Sequence, residues 1–229
     1  MAVMNKSTTL SAELHDYIVA HGSPPDPICR ALTEETRESV GPMAMMQIAP
    51  EQGAFMSFFV RALGVREAIE IGTFTGYSAL CIARGLPADG HLLCCDVSEE
   101  WTAIGKRYWE KAGVADRIEL RLAPAIETLR SLPREPRFDF AFLDADKKSY
   151  EAYLDEILPR LEPGGVILVD NVLWGGNVIR PDSDDESTQA IRAFNDRVAS
   201  DPTLESVMLP VADGLTFIRR TGSDSVVSG

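Results

Sequence analysis

The chain has 229 residues, of which 45% are hydrophobic and 25% charged. A chain of this size can bury one substantial core, so residues 1–229 are expected to form a single domain. The formal net charge of −13 argues against nucleic acid as a partner, because proteins that bind phosphate backbones carry clustered basic residues.

The sequence gives no sign of export or of membrane insertion. Residues 1–17 lack the basic region and following apolar run that are typical of a signal peptide. No apolar run approaches the ~20 residues that span a bilayer, so no membrane contact is expected. The four cysteines include no CxxC pair and are expected to pack as free thiols in a reducing compartment. We therefore expect a soluble cytoplasmic protein.

The first part of the chain has the apolar spacing of helices. Apolar residues recur three and four apart over residues 10–22 and 26–40, and the stretch SPPDP separates the two segments. The pattern changes near residue 65. We predict an N-terminal helical cap over residues 1–60, followed by the core of the domain over residues 65–220.

From residue 65 onward, short apolar runs alternate with helical patterns. This alternation predicts an α/β fold with a mostly parallel sheet and helices on both faces. Helical stretches include residues 99–113 and 150–161, the second of which is closed by Pro163, Gly164 and Gly165. The strand candidates are AIEIG at 68–72, HLLCCD at 91–96, RIELRL at 117–122, FDFAFLD at 138–144 and GVILVD at 165–170.

The C-terminal part departs from this alternation. The runs TLESVMLPV (203–211) and LTFIRR (215–220) follow each other closely and are joined through Ala212, Asp213 and Gly214. Such spacing predicts a closing antiparallel hairpin. The acidic loop PDSDDEST before them is expected to cap the helix that follows it.

A glycine-containing turn follows the first strand in the stretch EIGTFTGYS, which begins at Glu70. Its spacing is GxxxG rather than the GxGxxG of dinucleotide-binding proteins, and an acid precedes the first glycine. A carboxylate there would repel a pyrophosphate but suits a cationic cofactor without phosphate, such as S-adenosylmethionine. Asp96, at the end of the second strand, is then placed to accept hydrogen bonds from ribose hydroxyls. The alternatives are a tight turn without a ligand and an aspartate that caps a helix.

Oxygen-bearing side chains follow two later strands. Asp144, Asp170 and Asn171 offer three hard oxygen ligands at the rim where parallel strands end. Such ligands suit magnesium, with Ca²⁺ or Mn²⁺ as alternatives, better than zinc, which prefers His and Cys. Taken singly, each acid could instead cap a helix or form a salt bridge.

Lys147 lies three residues after Asp144, close to one helical turn, and can point into the same rim. A neighbouring metal and a dry pocket would lower the pKa of this lysine, which is what a general base near neutral pH requires. Lys148 is expected to be solvated. Taken alone, a lysine is more often a surface residue.

Three stretches carry a family resemblance: EIGTFTGYSAL from Glu70, DADKKSYEAY from Asp144 and DNVLWGGNV from Asp170. They resemble the cation-dependent, S-adenosylmethionine-dependent O-methyltransferases typified by caffeoyl-CoA O-methyltransferase, with catechol O-methyltransferase more distant. The similarity extends from about residue 46 to residue 220. It implies the class I methyltransferase fold, a Rossmann-like sheet of seven strands with the last antiparallel, and it implies homodimers.

The resemblance also implies roles for individual residues. Asp144, Asp170 and Asn171 would hold the divalent cation, and Trp174 would flank the acceptor ring. Asp96 would contact the ribose of S-adenosylmethionine, Ala125 its adenine region and Asp146 its methionine end. The residues implied to contact S-adenosylmethionine are Met46, Ile48, Glu70, Gly72, Ser78, Asp96, Ala125 and Asp146.

The implied activity is methyl transfer to one hydroxyl of a catechol-like small phenol, with Lys147 as the base. Residues 1–45 hold no basic cluster that could receive a phosphorylated carrier, which favours a free phenol over a coenzyme A ester. Two alternatives stay open. A metal-dependent phosphohydrolase could use Asp144 and Asp146 as a DxD pair, and a non-catalytic interaction protein could share the fold.

Overall fold

A computed structural model describes residues 8–222. Residues 1–7, which include the start of the predicted cap and part of the segment expected to lack a signal peptide, lie outside the described residues. The strands are β1 (Glu67–Ile71), β2 (His91–Asp96), β3 (Ile118–Leu122), β4 (Phe138–Leu143), β5 (Leu161–Asp170), β6 (Leu204–Leu209) and β7 (Leu215–Arg220). The helices are α1 (Ala12–His21), α2 (Pro27–Val40), α3 (Pro50–Leu63), α4 (Tyr77–Gly85), α5 (Glu99–Lys111), α6 (Ala125–Ser131), α7 (Tyr150–Ile157) and α8 (Glu186–Ser200).

The strands form one sheet in the order β3-β2-β1-β4-β5-β7-β6. Strands β1 to β5 pair in parallel, whereas β7 runs antiparallel to both β5 and β6. The predicted α/β fold with a closing antiparallel hairpin is therefore confirmed. Strand order reverses at β1, whose neighbours are β2 and β4, and ligands bind beyond the carboxyl ends of strands at such a point.

Helices cover both faces of the sheet because the buried strands are apolar on both sides. One core cluster packs beneath α2 to α5, and the other packs beneath α6 to α8. Side chains alternate along β1, so Ile69 and Ile71 face the second cluster while Ala68 faces the first. The same alternation directs Glu70 into the first, apolar side. All four cysteines are buried with free thiols, as the sequence indicates.

Helix α3 lies largely within the predicted helical cap, in a segment for which no individual helix was predicted. Pro50 occupies its first turn, and Gly64 ends it with a φ of 67°, which suits glycine after a helix C-terminus. Gly53 lies inside the helix, where a Cβ would come within 2.7 Å of the Tyr77 ring. The glycine therefore allows α3 and α4 to pack closely. Helix α6 was also not predicted.

The helix predicted over residues 150–161 is wrong at its C-terminal end. Helix α7 ends at Ile157, and a 3-10 turn over Leu158–Arg160 follows it. The turn contains Pro159, which lacks the N–H that would continue the helix. Leu161 already pairs with Phe138, so the Pro-Gly-Gly stretch lies inside β5 and does not close a helix.

No helix among residues 8–222 is long and apolar enough to cross a bilayer. The division into a cap over residues 1–60 and a core over 65–220 stays a prediction, although α3 runs across the first of these boundaries.

Candidate active site

The turn after β1 brings the backbone close to the end of β4. Gly72 has a φ of 89°, and a Cβ on it would overlap the carbonyl oxygen of Asp144 and lie 2.8 Å from the carbonyl carbon. Only glycine fits both the conformation and the contact. The turn therefore places the predicted cofactor segment beside the first predicted metal ligand.

Asp96 fixes the conformation of this turn. Its Oδ2 accepts the backbone N–H groups of Thr73 and Phe74 at 2.8 Å each, and its Oδ1 accepts that of Ser98 at 2.8 Å. These bonds hold Phe74 at a φ of 50°. The carboxylate therefore has a structural role at the end of β2, and its predicted contact with a ribose stays a prediction.

Glu70, in β1 and two residues before Gly72, is fully buried. Removal from water raises the pKa of this carboxyl to about 7, and neighbouring Ser78, Cys94 and Thr73 offset part of that rise. The Cys94 thiol lies 3.4 Å from Glu70 Oε2. The structure thus brings together Glu70 and Ser78, two of the predicted cofactor residues, in an environment where a nearby cation would favour the ionised carboxylate.

Lys147 joins the ends of β4 and β5. The side chain is 8% exposed, and its Nζ donates to Asp144 Oδ1 at 3.0 Å, Asn171 Oδ1 at 2.7 Å and Tyr150 Oη at 2.6 Å. An ammonium has three protons, so these three acceptors satisfy it completely. The predicted base and two of the predicted metal ligands therefore share one small cluster.

Asp170 completes the cluster from the last residue of β5. Its Oδ2 accepts from Gln52 Nε2 at 2.7 Å, and its Oδ1 accepts from the Asn171 N–H at 2.6 Å. Burial, together with the charge of Asp144, raises the pKa of this carboxyl to about 7, and the hydrogen bonds from Gln52 and Asn171 offset part of that rise. A divalent cation between the two carboxylates would offset both the cost of burying the Asp170 charge and its repulsion by Asp144.

The donor set fits an oxygen-seeking cation by its chemistry. The Lys147 ammonium bridges Asp144 Oδ1 and the amide oxygen of Asn171, and the charges of Asp144 and Lys147 both act on the Asp170 carboxylate. No group of three or more His, Cys, Asp or Glu side chains in the described part of the chain could hold a metal ion. The third oxygen would therefore have to come from the Asn171 amide.

Trp174 lies beside this cluster. The centre of its ring is 5.6 Å from Lys147 Nζ, within the range of a cation–π contact. The backbone of Trp174 has a φ of 47°, and its N–H donates to the Asn171 carbonyl at 3.3 Å. The aromatic side chain is thus held against the same rim by a tight turn after β5.

The four remaining predicted residues take no part in the bonds described above. Asp146 is exposed and accepts from Tyr153 Oη at 2.8 Å and from the Ser149 hydroxyl. Ala125 begins α6, and Met46 and Ile48 lie between α2 and α3. The roles of these four residues stay predictions.

Sequence reasoning missed two residues of the cluster. Gln52 comes from α3, which was not predicted as a helix, so no signal in the sequence placed it against Asp170. Tyr150 is three residues after Lys147 and donates its own hydroxyl to the Asp170 carbonyl at 3.2 Å. That spacing alone could have suggested a partner for the lysine.

Comparison with known proteins gives a consistent result. Residues 20–221 match the O-methyltransferase family. The chain is 36% identical over 231 residues to the caffeoyl-CoA O-methyltransferase of Eucalyptus gunnii, covering 95% of this chain and 91% of that protein. It is 35% identical over 207 residues to the catechol O-methyltransferase domain-containing protein 1 of Mus musculus, covering 89% and 78%.

A solved structure agrees with these relatives. The S-adenosylhomocysteine-bound methyltransferase of Podospora anserina superposes with a TM-score of 0.85 at 30% sequence identity. The alignment covers 96% of this chain and all of that one. The likeness therefore includes the helices before β1 as well as the sheet.

Proposed function

The chain belongs to the family of S-adenosylmethionine-dependent O-methyltransferases, and we propose that it methylates one hydroxyl of a catechol-like small phenol with the help of a divalent cation. The observation that carries this proposal is the cluster at the ends of β4 and β5. There Lys147 lies 3.0 Å from Asp144 and 2.7 Å from Asn171, beside the buried Asp170.

Lys147 would act as the general base. As a neutral amine, its Nζ accepts the proton of the acceptor hydroxyl, and the oxygen attacks the methyl carbon of the sulfonium. A carbon–oxygen bond forms while the carbon–sulfur bond breaks, and S-adenosylhomocysteine leaves with the electron pair. A neutral amine keeps two N–H donors, so two of the three neighbours Asp144, Asn171 and Tyr150 would still hold Nζ, and the lone pair would be left to take the proton.

Other residues near Lys147 would bind the cation and the cofactor. Asp144, Asp170 and Asn171 would hold Mg²⁺, or Ca²⁺ or Mn²⁺ in its place. Bound there, the cation would lower the pKa of a phenolic hydroxyl that it contacts. Glu70, Gly72 and the turn that follows would hold the cationic S-adenosylmethionine.

The acceptor class is inferred from the relatives and from the site. One relative acts on caffeoyl-CoA by name, and another is named for catechol. The Trp174 ring beside Lys147 supplies an aromatic wall for a phenol. The only lysine and arginine residues in 1–45 are Lys6, Arg30 and Arg37, which supports a free phenol over a coenzyme A ester.

Two further expectations belong to this proposal. We expect the protein to act in the cytoplasm and to form a homodimer. Val207, Met208 and Leu209 on the edge strand β6 are 41% to 50% exposed, and an exposed apolar edge favours association.

Neither comparisons nor contacts support the phosphohydrolase alternative, because Asp146 bonds to Tyr153 and Ser149 while Asp144 bonds to Lys147.

A substrate panel tests the proposed function. The purified chain would receive S-adenosylmethionine, Mg²⁺ and one of three phenols: catechol, caffeic acid or resorcinol. We expect mass spectrometry to find one added methyl group on the two vicinal diols and little on resorcinol, whose hydroxyls are not adjacent. Equal methylation of resorcinol would contradict the catechol specificity, and no methylation of any phenol would contradict the proposal as a whole.

A further inference from the structure

We propose that Arg192 is a positioning residue that fixes the β5–α8 loop (residues 171–185) and thereby holds Trp174 beside the reaction centre. The inference rests on the proposed function in one respect, namely that the Trp174 ring forms the wall against which the acceptor binds. Arg192 itself lies on α8 and touches backbone groups of the loop.

The loop has a backbone that its own side chains do little to fix. Asn171, Trp174, Gly175 and Gly176 have φ values of 57°, 47°, 60° and 80°. Asparagine and tryptophan adopt this left-handed region at a cost. A Cβ at either glycine would find no atom within 4 Å, so nothing packs against that side of the turn. Partners outside the loop are therefore needed to select one conformation. Asp213 is one of them, since its carbonyl accepts the Leu173 N–H at 3.0 Å and its Oδ1 accepts the Gly175 N–H at 2.7 Å.

Arg192 is the partner of the later part of the loop, over residues 177–183. Its Nε donates to the Val178 carbonyl at 2.9 Å, its Nη1 to the Ser183 carbonyl at 2.9 Å, and its Nη2 to the Asn177 carbonyl at 2.8 Å. Nη2 also bonds to the Arg180 carbonyl. One planar guanidinium thus gathers four carbonyls spread over seven residues, which a lysine could not do with the same geometry.

The helix that carries Arg192 is firmly fixed. Ile191 and Phe194, on either side of it in sequence, are fully buried in the core. Asn195, one turn further on, donates from Nδ2 to the Val172 carbonyl at 2.9 Å. At the start of α8, Asp185 caps the helix by accepting the Thr188 N–H at 3.0 Å. Helix α8 therefore holds the loop at its beginning, middle and end.

The position of Trp174 follows from these contacts. Trp174 and the two glycines lie between the Val172 carbonyl bound by Asn195 and the Asn177 carbonyl bound by Arg192. Release of the second point would leave the turn held only at Val172 and by the bonds of Asp213 to Leu173 and Gly175. The Trp174 ring would then be held less firmly at its place 5.6 Å from Lys147 Nζ, although no residue of the catalytic cluster had been changed.

The test compares Arg192→Met and Arg192→Lys with Arg197→Met in the full-length chain. Arg197 is a matched control, because it lies on the same helix but bonds to Asp155 and to the Glu151 carbonyl of α7. Hydrogen exchange would be followed at the loop amides of Gly176, Arg180 and Ser183, which bond to carbonyls within the loop. We expect about tenfold faster exchange there in Arg192→Met, a smaller change in Arg192→Lys and none in Arg197→Met.

Kinetics test the consequence for the acceptor. In Arg192→Met we expect KM for catechol to rise about tenfold, with the dissociation constant of S-adenosylmethionine and the urea unfolding midpoint close to those of Arg197→Met. Arg192→Lys should recover part of the loss. Unchanged loop exchange in Arg192→Met, or a KM that rises equally in Arg197→Met, would overturn the proposal. Should the wild-type chain methylate no catechol, the proposed function fails, whereas faster exchange confined to the loop would still support the role of Arg192.

Discussion

In the proposed reaction, the buried side chain of Lys147 would have two tasks. Its ammonium bonds to Asp144, Asn171 and Tyr150, so it neutralises part of the rim when no other cation is bound. Its amine would accept a proton during methyl transfer. Both tasks need the same position, and the 3-10 turn at Lys147–Ser149 provides it directly after β4.

Replacement of Lys147 by methionine should remove the base without removing the bulk of the side chain. We expect kcat for catechol methylation to fall by about 10²- to 10⁴-fold, the usual contribution of a general base. The dissociation constant of S-adenosylmethionine, measured by calorimetry, should change little. Lys148→Met is the matched control, because Lys148 is exposed and pairs with Glu186. Full activity of Lys147→Met would contradict the assignment of the base.

Glu70 predicts a dependence of stability on pH. Burial raises the pKa of this carboxyl from its ordinary value of 4.5 to about 7, so the folded state prefers the protonated carboxyl. The stabilisation is fully present below pH 4.5 and is lost as the pH rises through about 7. In Glu70→Gln this contribution to the pH dependence of stability should be absent, while the similar contribution of Asp170 remains.

Urea unfolding at pH 5 and pH 8, with a chelator present, measures the effect. Between these values the wild type should lose about 2–3 kcal/mol more unfolding free energy than Glu70→Gln. Glu99→Gln, a change at an exposed residue of α5, should follow the wild type. If Glu70→Gln showed the same pH dependence as the wild type, the buried carboxyl would have to be ionised throughout.

At the scale of elements, the turn between β1 and α4 depends on close approach of two chain segments. Gly72 combines a φ of 89° with a contact to the end of β4. Gly164 has a φ of 86° but open space where a Cβ would lie. The two glycines therefore separate the cost of the backbone conformation from the cost of the contact.

Gly72→Ala should destabilise the protein more than Gly164→Ala. We expect Gly164→Ala to lower the free energy of unfolding by about 1–2 kcal/mol through its left-handed backbone. Gly72→Ala should cost about 1–3 kcal/mol more, since the added methyl meets the Asp144 carbonyl. Urea unfolding of both variants measures the difference, and equal losses would show that the turn and β4 can separate freely.

The elements also show which local signals were sufficient for prediction. The central strands were predicted because they are short and apolar between polar turns, and His91–Asp96 was placed with its observed bounds. Helix α3 was missed because Gly53 disfavours a helix locally and has a purpose only in contact with Tyr77. The start of β5 was missed because its Pro-Gly-Gly stretch has the composition of a turn.

The candidate site, too, could be predicted only in part from the sequence. Asp144, Asp170 and Asn171 could be grouped from sequence because parallel strands end at one rim. Gln52 could not be added, since it reaches Asp170 from α3 across 118 positions of sequence. Arg192 could not be found either, because it binds carbonyls, which every residue has. A side chain that binds backbone carbonyls requires no particular residue types at the positions it binds, so the sequence holds no pattern that identifies it.

At the scale of the whole molecule, the fold brings several carboxylates together in a chain that is already acidic. The chain has a formal net charge of −13, yet it buries Glu70 and Asp170 and sets Asp144 beside them at one edge of the sheet. Such an edge gains most from ligands that carry positive charge. A sulfonium cofactor and a divalent cation are two ligands of that kind.

The dependence of catechol methylation on free Mg²⁺ tests this account most directly. The initial rate would be measured with chelator-treated enzyme, S-adenosylmethionine and catechol while free Mg²⁺ is raised from zero. We predict a saturable increase from a near-zero rate, and in Asn171→Ala a curve shifted to higher Mg²⁺, because one oxygen ligand is lost. A rate that is already maximal with chelator present and unaffected by Mg²⁺ would contradict the metal site at Asp144, Asp170 and Asn171.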